Sequence, residues 1–188
     1  MFVKTFRCDR QIRALPACIA ALALLLSSLG FYGCASSRQV ADAAGSEMDL
    51  TERFSLVSPA APEALQKHLS VTRKGDSRDA LVLVAPAVVR ASLQGVAGRR
   101  ILKFWAAPVF NVGDGVQMGV FLKRAGTRIS IAGRYFDPAR KSEDRNWIPF
   151  TIPLEISGGD QLEIEASAGP QGEPTADWLA MSALRLTR

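Results

Sequence analysis

The stretch Val116-Gln117-Met118-Gly119-Val120-Phe121-Leu122-Lys123 carries the pattern that decides the fold. Every second position from its start is apolar: Val116, Met118, Val120 and Leu122. Successive side chains of a β-strand point to opposite faces of the sheet, so this alternation predicts a strand with one buried face. The turn sequence Ala125-Gly126-Thr127 follows, and Ile129 and Ile131 then alternate with polar residues. The sequence therefore predicts a β-hairpin here.

The same period of two recurs in most of the remaining chain. It is found at 89–93, 148–156, 162–166 and 178–186. In the last of these segments it places on one side Trp178, Ala180, Ser182, Leu184 and Leu186. Turn sequences separate the segments, and Ser157-Gly158-Gly159-Asp160 is typical of a hairpin between two of them. Short strands at this spacing predict an antiparallel β-sandwich or barrel.

Two local features refine this prediction. Pro149 and Pro153 lie on one face of the segment 148–156. Because proline cannot donate a hydrogen bond to a neighbouring strand, that strand is expected at a sheet edge or at a bulge. The segment 62–69 begins with Pro62 and Glu63, and a proline and an acid at these positions favour the start of a short helix.

Three passages carry a resemblance to a known fold family: Arg100-Ile101-Leu102-Lys103-Phe104-Trp105, Asn146-Trp147-Ile148-Pro149-Phe150 and Ala176-Asp177-Trp178-Leu179-Ala180. Together with the strand pattern they resemble the galactose-binding-like jelly rolls, which are accessory domains of sulfatases, glycosidases and envelope glycosyltransferases. The resemblance implies an all-β, antiparallel jelly-roll β-sandwich over residues 48–188. One fold hosts many functions, so the resemblance does not by itself name a ligand.

The first 33 residues have the parts of an export signal. Basic residues precede an apolar run from Ala14 to Leu29, and small residues follow it. A helix that spans a membrane needs about 20 apolar residues, whereas this run is shorter and contains Ser27 and Ser28. We therefore expect an N-terminal signal helix that is cleaved off. An uncleaved single span is the alternative.

The expected cleavage site resembles the lipobox of bacterial lipoproteins. Gly33 and Cys34 match that pattern, while Phe31 and Tyr32 stand where the family has leucine and a small residue. The resemblance implies cleavage between Gly33 and Cys34 and lipidation of the Cys34 thiol. Because Ala35 rather than aspartate follows, it also implies sorting to the outer membrane. The alternative is ordinary cleavage after Ala43, which would release a soluble periplasmic protein.

The predicted organisation is a lipoprotein signal peptide at 1–33, a flexible tether at 34–47 and the β-sandwich at 48–188. Cys8 and Cys18 fall within the signal, so the mature chain keeps Cys34 alone and no disulfide is expected. The signal carries four basic residues and Asp9, and its removal lowers the formal net charge from +5 to +2. No clustered basic face remains, so nucleic-acid binding is not expected.

Residue types that support catalysis or metal binding are sparse. His68 is the only histidine and is expected to be solvated beside the short helix, so no multi-histidine metal site is possible. No Gly-x-Ser-x-Gly or comparable setting for a nucleophile is present. The sequence therefore predicts no enzyme, no catalytic metal and no cofactor. A structural calcium held by acids in the loops is left open.

The candidate ligand-binding residues are Tyr135, Arg145 and Trp147. Tyr135 and Trp147 flank the polar loop 136–146, and long loops of compact domains are often functional. A mobile hairpin tip is the alternative. The other two tryptophans, Trp105 and Trp178, are expected in the core, because they neighbour or share the phase of apolar residues.

These patterns predict a lipid-anchored protein of the bacterial cell envelope with a non-catalytic binding domain. Its expected ligand is a glycan or a cell-envelope polysaccharide, and its expected contact with the membrane is the lipid. An envelope protein–protein interaction or assembly module is the alternative. A glycan-binding domain should expose aromatic rings beside a polar concavity, whereas a protein-binding module should expose a larger flat apolar patch.

Overall fold

The computed structural model describes residues 47–57, 61–172 and 176–188. The predicted signal peptide, Cys34 and all but the last residue of the predicted tether lie outside this part of the chain. Within it, the strands are β1 (Met48–Asp49), β2 (Phe54–Leu56), β3 (Leu65–Arg73), β4 (Asp76–Val84), β5 (Ala87–Ser92), β6 (Gly98–Pro108), β7 (Val116–Arg124), β8 (Thr127–Phe136), β9 (Ile148–Ile156), β10 (Gln161–Ala168) and β11 (Trp178–Thr187). Single 3₁₀ turns cover Thr51–Arg53, Pro62–Ala64 and Ser142–Arg145. None of the helices in these ranges is long and apolar enough to cross a membrane.

The strands form two antiparallel sheets that pack face to face. Sheet A has the order β3-β4-β11-β6-β9, with β1 beside the end of β11, and sheet B has the order β2-β5-β10-β7-β8. Strands β4 to β11 alone give the two four-stranded layers β4-β11-β6-β9 and β5-β10-β7-β8, which is the arrangement of a jelly roll. The predicted all-β, antiparallel jelly-roll β-sandwich is therefore confirmed.

The core between the sheets follows the alternation seen in the sequence. Val116, Met118 and Val120 of β7 are fully buried, and Leu122 is 5% exposed. The predicted hairpin is formed by β7 and β8, with Ala125 and Gly126 both at positive φ in its turn. Burial of these side chains from water is the main favourable contribution to the fold.

The predicted helix at 62–69 is wrong beyond its first turn. A 3₁₀ turn covers Pro62–Ala64, and the chain then enters β3, where Leu65 pairs with Leu83 of β4. Two turns of helix are marginal by themselves, whereas pairing with β4 satisfies the backbone of the whole segment.

Two of the connections also bear on the predictions. Strand β9 carries Pro149 and Pro153 and pairs with β6 at the edge of sheet A, as expected from the prolines. The turn Ser157-Gly158-Gly159-Asp160 is not a hairpin, however, because it joins β9 of sheet A to β10 of sheet B. Glycine-rich turn chemistry fits either kind of connection, so the pattern could not distinguish them.

The assignment of faces along β11 is wrong because of a bulge. The pairing of β11 with β6 shifts between Ser182 and Arg185, and Ala183 takes a φ of 52°. One extra residue reverses the faces of all residues beyond it. Leu184 and Leu186 therefore lie in the core, while Trp178 lies on the outer face of sheet A.

All three tryptophans of the chain gather on that outer face, in a group we call the tryptophan cluster (Trp105, Trp147 and Trp178). The far half of the β3–β4 hairpin, residues 69–80, folds across it and is called the hairpin arm. The Trp147 Nε1–H donates to the Asp76 carbonyl at 3.1 Å, and Arg73 Nη1 donates to the Val109 carbonyl at 2.9 Å. The expectation that Trp105 and Trp178 belong to the main core is thus wrong, since they pack beneath the arm.

The connections divide the sandwich into two ends. At the end we call the top, β4 leads to β5, β6 to β7, β8 to β9, and β10 to β11. At the bottom, β1 pairs with the last residues of β11, so the chain enters and leaves the sandwich there. Three of the loops at the top, at 109–115, 137–147 and 169–177, are the longest connections between β4 and β11, and they form the candidate site.

Candidate functional site

An open cleft of about 390 Å³ lies between three loops at the top of the sandwich. We call it the top cleft. The β6–β7 loop lines it with Val112, Gly113 and Asp114, the β8–β9 loop with Asp137, Ala139 and Arg140, and the β10–β11 loop with Gln171 and Ala176. The long polar loop singled out from the sequence thus supplies one of its walls.

The wall formed by the β6–β7 loop is built by close backbone contacts. The Gln171 N–H donates to Asp114 Oδ2 at 2.6 Å, and the Tyr135 hydroxyl donates to the Asp114 carbonyl. A Cβ at Gly115 would lie 2.1 Å from the Phe136 carbonyl oxygen, and one at Gly169 would lie 2.5 Å from the Asp114 carbonyl oxygen. Only glycine fits at either position, so the sequence fixes how closely these loops approach.

The wall formed by the β8–β9 loop is held by a buried carboxylate. Asp144 is completely buried, and its Oδ1 and Oδ2 accept hydrogen bonds from Arg134 Nη2 at 2.6 Å and from the Asp137 N–H at 2.7 Å. Arg145 Nε donates to the Pro138 carbonyl at 2.7 Å. The loop is therefore fixed by its own hydrogen bonds.

The cleft has an acidic floor and a basic rim. Asp137 is only 5% exposed, and its Oδ1 accepts a hydrogen bond from the Arg140 N–H at 3.1 Å. The Arg140 side chain is 77% exposed, and its guanidinium stays 3.9 Å from Asp137 Oδ2. The rim thus offers hydrogen-bond donors to a ligand in the cleft.

Two buried carboxylate oxygens near the cleft have no hydrogen-bond partner among the described residues: Asp114 Oδ1 and Asp177 Oδ1. Asp177 is 1% exposed, and its other oxygen accepts from the Gly169 N–H at 3.1 Å. Burial raises the pKa of Asp177, the Gly169 hydrogen bond lowers it, and the nearby charge of Asp114 raises it again. In the described ranges no group of three or more His, Cys, Asp or Glu residues is placed to hold a metal ion.

The β6–β7 loop, which forms one wall of the cleft, also carries an exposed aromatic ring. Phe110 and Val112 of the β6–β7 loop are 39% and 63% exposed, and Phe110 meets Trp178 edge-on with ring centroids 5.3 Å apart. Within the described part of the chain the only other large hydrophobic residue this exposed is Ile129 of β8. Sequence reasoning missed Phe110, although two bulky apolar residues in a loop rich in Gly, Asn and Asp were a usable signal.

The structure does not bring the three predicted ligand-binding residues together. Tyr135 borders the β6–β7 loop, and burial, followed by the charge of Asp137, raises the pKa of its hydroxyl. Arg145 donates to carbonyls of its own loop. Trp147 is 7% exposed and belongs to the tryptophan cluster under the hairpin arm. A role of these residues in ligand binding stays a prediction.

The single histidine lies away from the top cleft, at the base of the hairpin arm. His68 Nδ1 is 2.8 Å from Asp79 Oδ2, and His68 Nε2 is 2.5 Å from Glu52 Oε1. The hydrogen bonds to Asp79 and then Glu52 raise the pKa of His68. Its side chain is 60% exposed, as expected for a solvated residue.

No protein-family model matches this sequence, and no curated protein matches it either. The fold is similar to solved carbohydrate-binding modules. One is CBM51 of Clostridium perfringens GH95 in complex with methyl-galactose, with 12% identity and a TM-score of 0.50 over 75% of this chain and 99% of that one. A second is a structure of the CBM51-2 and INT domains of Clostridium perfringens ZmpB, with 9% identity and a TM-score of 0.55 over 76% of this chain and 32% of that one.

A third similar structure is the CBM22-1 xylan-binding domain of Paenibacillus barcinonensis Xyn10C. It has 8% identity and a TM-score of 0.50 over 74% of this chain and 90% of that one. At such low identity the likeness concerns the fold alone. The domain described here therefore has the jelly-roll β-sandwich fold that is found in carbohydrate-binding modules.

Proposed function

We propose that the β-sandwich binds a glycan without cleaving it and that the top cleft is the binding site. The observation that carries the proposal is the β6–β7 loop, which exposes the ring of Phe110 and lines an open polar cleft with Val112 and Asp114. A sugar ring has an apolar C–H face and a rim of hydroxyl groups, so it needs an apolar surface next to convergent polar groups. A protein partner would instead need a large flat apolar patch, whereas the large hydrophobic residues most exposed in the described part of the chain are Phe110, Val112 and the distant Ile129.

The polar groups of the cleft match the hydroxyl rim of a sugar. Carboxylates such as Asp137 accept hydrogen bonds from hydroxyl groups, and Arg140 and Gln171 donate them. The walls are held by the Asp144 and Asp114 hydrogen bonds, so little order has to be gained on binding. A preformed cleft of this kind suits a binding module.

Two arguments support binding without catalysis. Glycoside hydrolysis uses two carboxyl groups on opposite sides of the scissile bond. In the cleft, by contrast, Asp137 and Asp114 each use one carboxylate oxygen to accept a hydrogen bond from a backbone N–H, so both help to hold the loops. The fold, moreover, is that of solved carbohydrate-binding modules, and one of those structures contains methyl-galactose.

The test is a glycan array on the purified full chain, followed by calorimetric titration of the glycans that bind. Phe110→Ala should weaken binding roughly fivefold, since loss of an aromatic contact costs about 1 kcal/mol. Ile129→Ala is the matched control, because Ile129 is equally exposed but lies on β8 near the bottom of the sandwich. Failure of every glycan to bind, or equal effects of the two variants, would contradict the proposal.

We further propose that the protein is held in the bacterial cell envelope by a lipid on Cys34. The lipobox-like residues Gly33 and Cys34 support this, and so does the apolar run from Ala14 to Leu29 that precedes them. Cys34→Ala should abolish labelling by a fatty-acid analogue and release the protein from the membrane fraction. Unchanged membrane association of this variant would favour an uncleaved span.

A further inference from the structure

A second concave surface lies on the outer face of sheet A, beside the hairpin arm. It has a volume of about 370 Å³, and we call it the sheet groove. Its main lining residues are Lys103, Trp105, Pro149, Thr151, Ala183 and Arg185. It shares no residue with the top cleft.

The strand register places two cations side by side in this groove. Arg185 of β11 pairs with Lys103 of β6, and Lys103 pairs with Thr151 of β9, so the three side chains form one row across the sheet. Like charges at directly opposed positions destabilise a sheet. Arg185 donates to Glu47 at 3.1 Å, but no carboxylate in the described chain pairs with Lys103.

The neighbouring row of the groove is apolar. Trp105 pairs with Pro149 of β9 on one side and with Ser182 of β11 on the other. The Arg78 guanidinium lies over the Trp105 ring, and Trp105 lines the groove together with Pro149. An aromatic and proline surface thus lies directly beside a row of two cations and a hydroxyl group.

We infer that the sheet groove binds a sugar residue that carries an anionic group, within an acidic polysaccharide. The apolar face of the sugar packs on Trp105 and Pro149, and its carboxylate or sulfate accepts charge-assisted hydrogen bonds from Lys103 and Arg185. The anion also removes the repulsion between the two cations, which a neutral sugar would leave in place. This inference does not depend on the top cleft, because the two sites share no residue.

The test compares oligosaccharides that differ in their anionic group. The purified full chain is titrated with hexagalacturonate, with its methyl ester and with a sulfated galactan hexasaccharide. Binding of hexagalacturonate or of the sulfated probe is expected, and it shows which anionic group the groove prefers. The uncharged methyl ester should bind at least tenfold more weakly than hexagalacturonate, or not at all, if the carboxylate is the group that is bound.

Variants assign the binding to this surface. Lys103→Gln should weaken binding of the anionic probe roughly tenfold, because it removes one charge-assisted hydrogen bond. Lys123→Gln is the matched control, since Lys123 lies on β7 of the opposite sheet. Phe110→Ala should leave this binding unchanged, which separates the outcome from that of the top cleft. Lys103 has no carboxylate partner in the described chain, so its replacement should not affect folding, and thermal unfolding of the variant checks this.

Three results would overturn the inference. The first is that neither anionic probe binds. The second is that hexagalacturonate and its methyl ester bind with equal affinity while the sulfated probe does not bind. The third is that Lys103→Gln binds the anionic probe as tightly as the wild type does. Arg185→Gln provides an independent second variant, with the same expected loss. If glycans do not bind at the top cleft but the anionic probe still binds at the sheet groove, this inference is not contradicted.

Discussion

The guanidinium of Arg78 lies 4.0 Å from the ring centroid of Trp105. The same group is 5.5 Å from the Trp147 ring, so one cation of the hairpin arm contacts two members of the tryptophan cluster. Arg78→Ala should lower the free energy of unfolding by roughly 1–2 kcal/mol, because a partly desolvated cation–π contact is lost. Urea unfolding followed by tryptophan fluorescence measures this, and hydrogen exchange should show faster exchange at 76–80.

The matched control for Arg78 is Lys74→Gln. Lys74 lies at the tip of the same arm and is exposed. Its replacement should change stability by less than about 0.5 kcal/mol, as is usual for a surface position. Equal losses in the two variants would mean that the arm is not held by the tryptophan cluster.

The two buried aspartates at the top should respond in opposite ways to replacement by asparagine. Burial raises the pKa of Asp177 above its ordinary value of 3.8, so the folded protein holds this proton more tightly than the unfolded chain does. The contribution of Asp177 to stability therefore falls as the pH rises through these pKa values. Asp177→Asn keeps an acceptor for Gly169 and should raise the thermal midpoint at pH 7, with the difference vanishing near pH 4.

Asp144→Asn is the contrasting variant. Asp144 is paired with Arg134 at 2.6 Å and also accepts the Asp137 N–H, so loss of its charge should cost about 1–3 kcal/mol at pH 7. Thermal unfolding of both variants across pH 4 to 8 measures the contrast. A lower thermal midpoint of Asp177→Asn at pH 7 would show instead that the ionised carboxylate of Asp177 stabilises the fold, as it would if it bound a cation.

His68 should make stability depend on pH above neutrality. The hydrogen bonds to Asp79 and Glu52 raise its pKa above the ordinary value of 6.5. A group with a raised pKa contributes its full stabilisation below the pKa of the unfolded chain, here the ordinary value of 6.5. This contribution is lost as the pH rises through the folded pKa. His68→Asn, which tolerates the φ of 57° at this position, should remove this pH dependence.

Two measurements check the behaviour of His68. Its ring signals are the only histidine signals in a nuclear magnetic resonance spectrum of the chain, so its pKa can be titrated directly. Thermal midpoints of the wild type and of His68→Asn should converge at alkaline pH. A folded pKa at or below 6.5 would contradict the prediction.

Gly115 should be far less tolerant of substitution than Gly126, although both have positive φ. A Cβ at Gly115 meets the Phe136 carbonyl at 2.1 Å, whereas one at Gly126 meets nothing within 4 Å. Gly115→Ala should cost about 2–4 kcal/mol and impair glycan binding at the top cleft, because the β6–β7 loop must move. Gly126→Ala should cost about 1–2 kcal/mol from its backbone conformation alone. Urea unfolding of both variants measures the difference, and similar losses would contradict the close contact at Gly115.

The strand content of the domain was predictable from the sequence because burial of one sheet face imposes the period of two directly. Val116 to Leu122 show this, since their alternation and their burial agree position by position. The face of the sheet on which Trp178 lies was not predictable. The bulge at Ala183 reverses the faces of the residues before and after it, and an alanine in the sequence does not indicate a positive φ. The prediction of a short helix at 62–69 was wrong because pairing of β3 with β4 overrides the local preference for helix.

The site was only partly predictable. The 136–146 loop was singled out for its length and polarity, and Asp137, Ala139 and Arg140 of that loop do line the top cleft. The other walls come from loops that are distant in sequence and are joined by contacts such as Gln171 to Asp114, 57 positions apart. The groove on sheet A depends on the register of β6, β9 and β11, which no single segment encodes.

The pairing of β1 with β11 has a consequence for the order in which the domain folds. The ion pair between Glu47 and Arg185 joins residues 138 positions apart, and β11 is the central strand of sheet A, between β4 and β6. A ribosome-bound chain from which β11 has not yet emerged therefore has no means of completing this sheet. Contacts of such long range also slow the search for the native state. The domain should thus stay open on the ribosome until β11 has been synthesised.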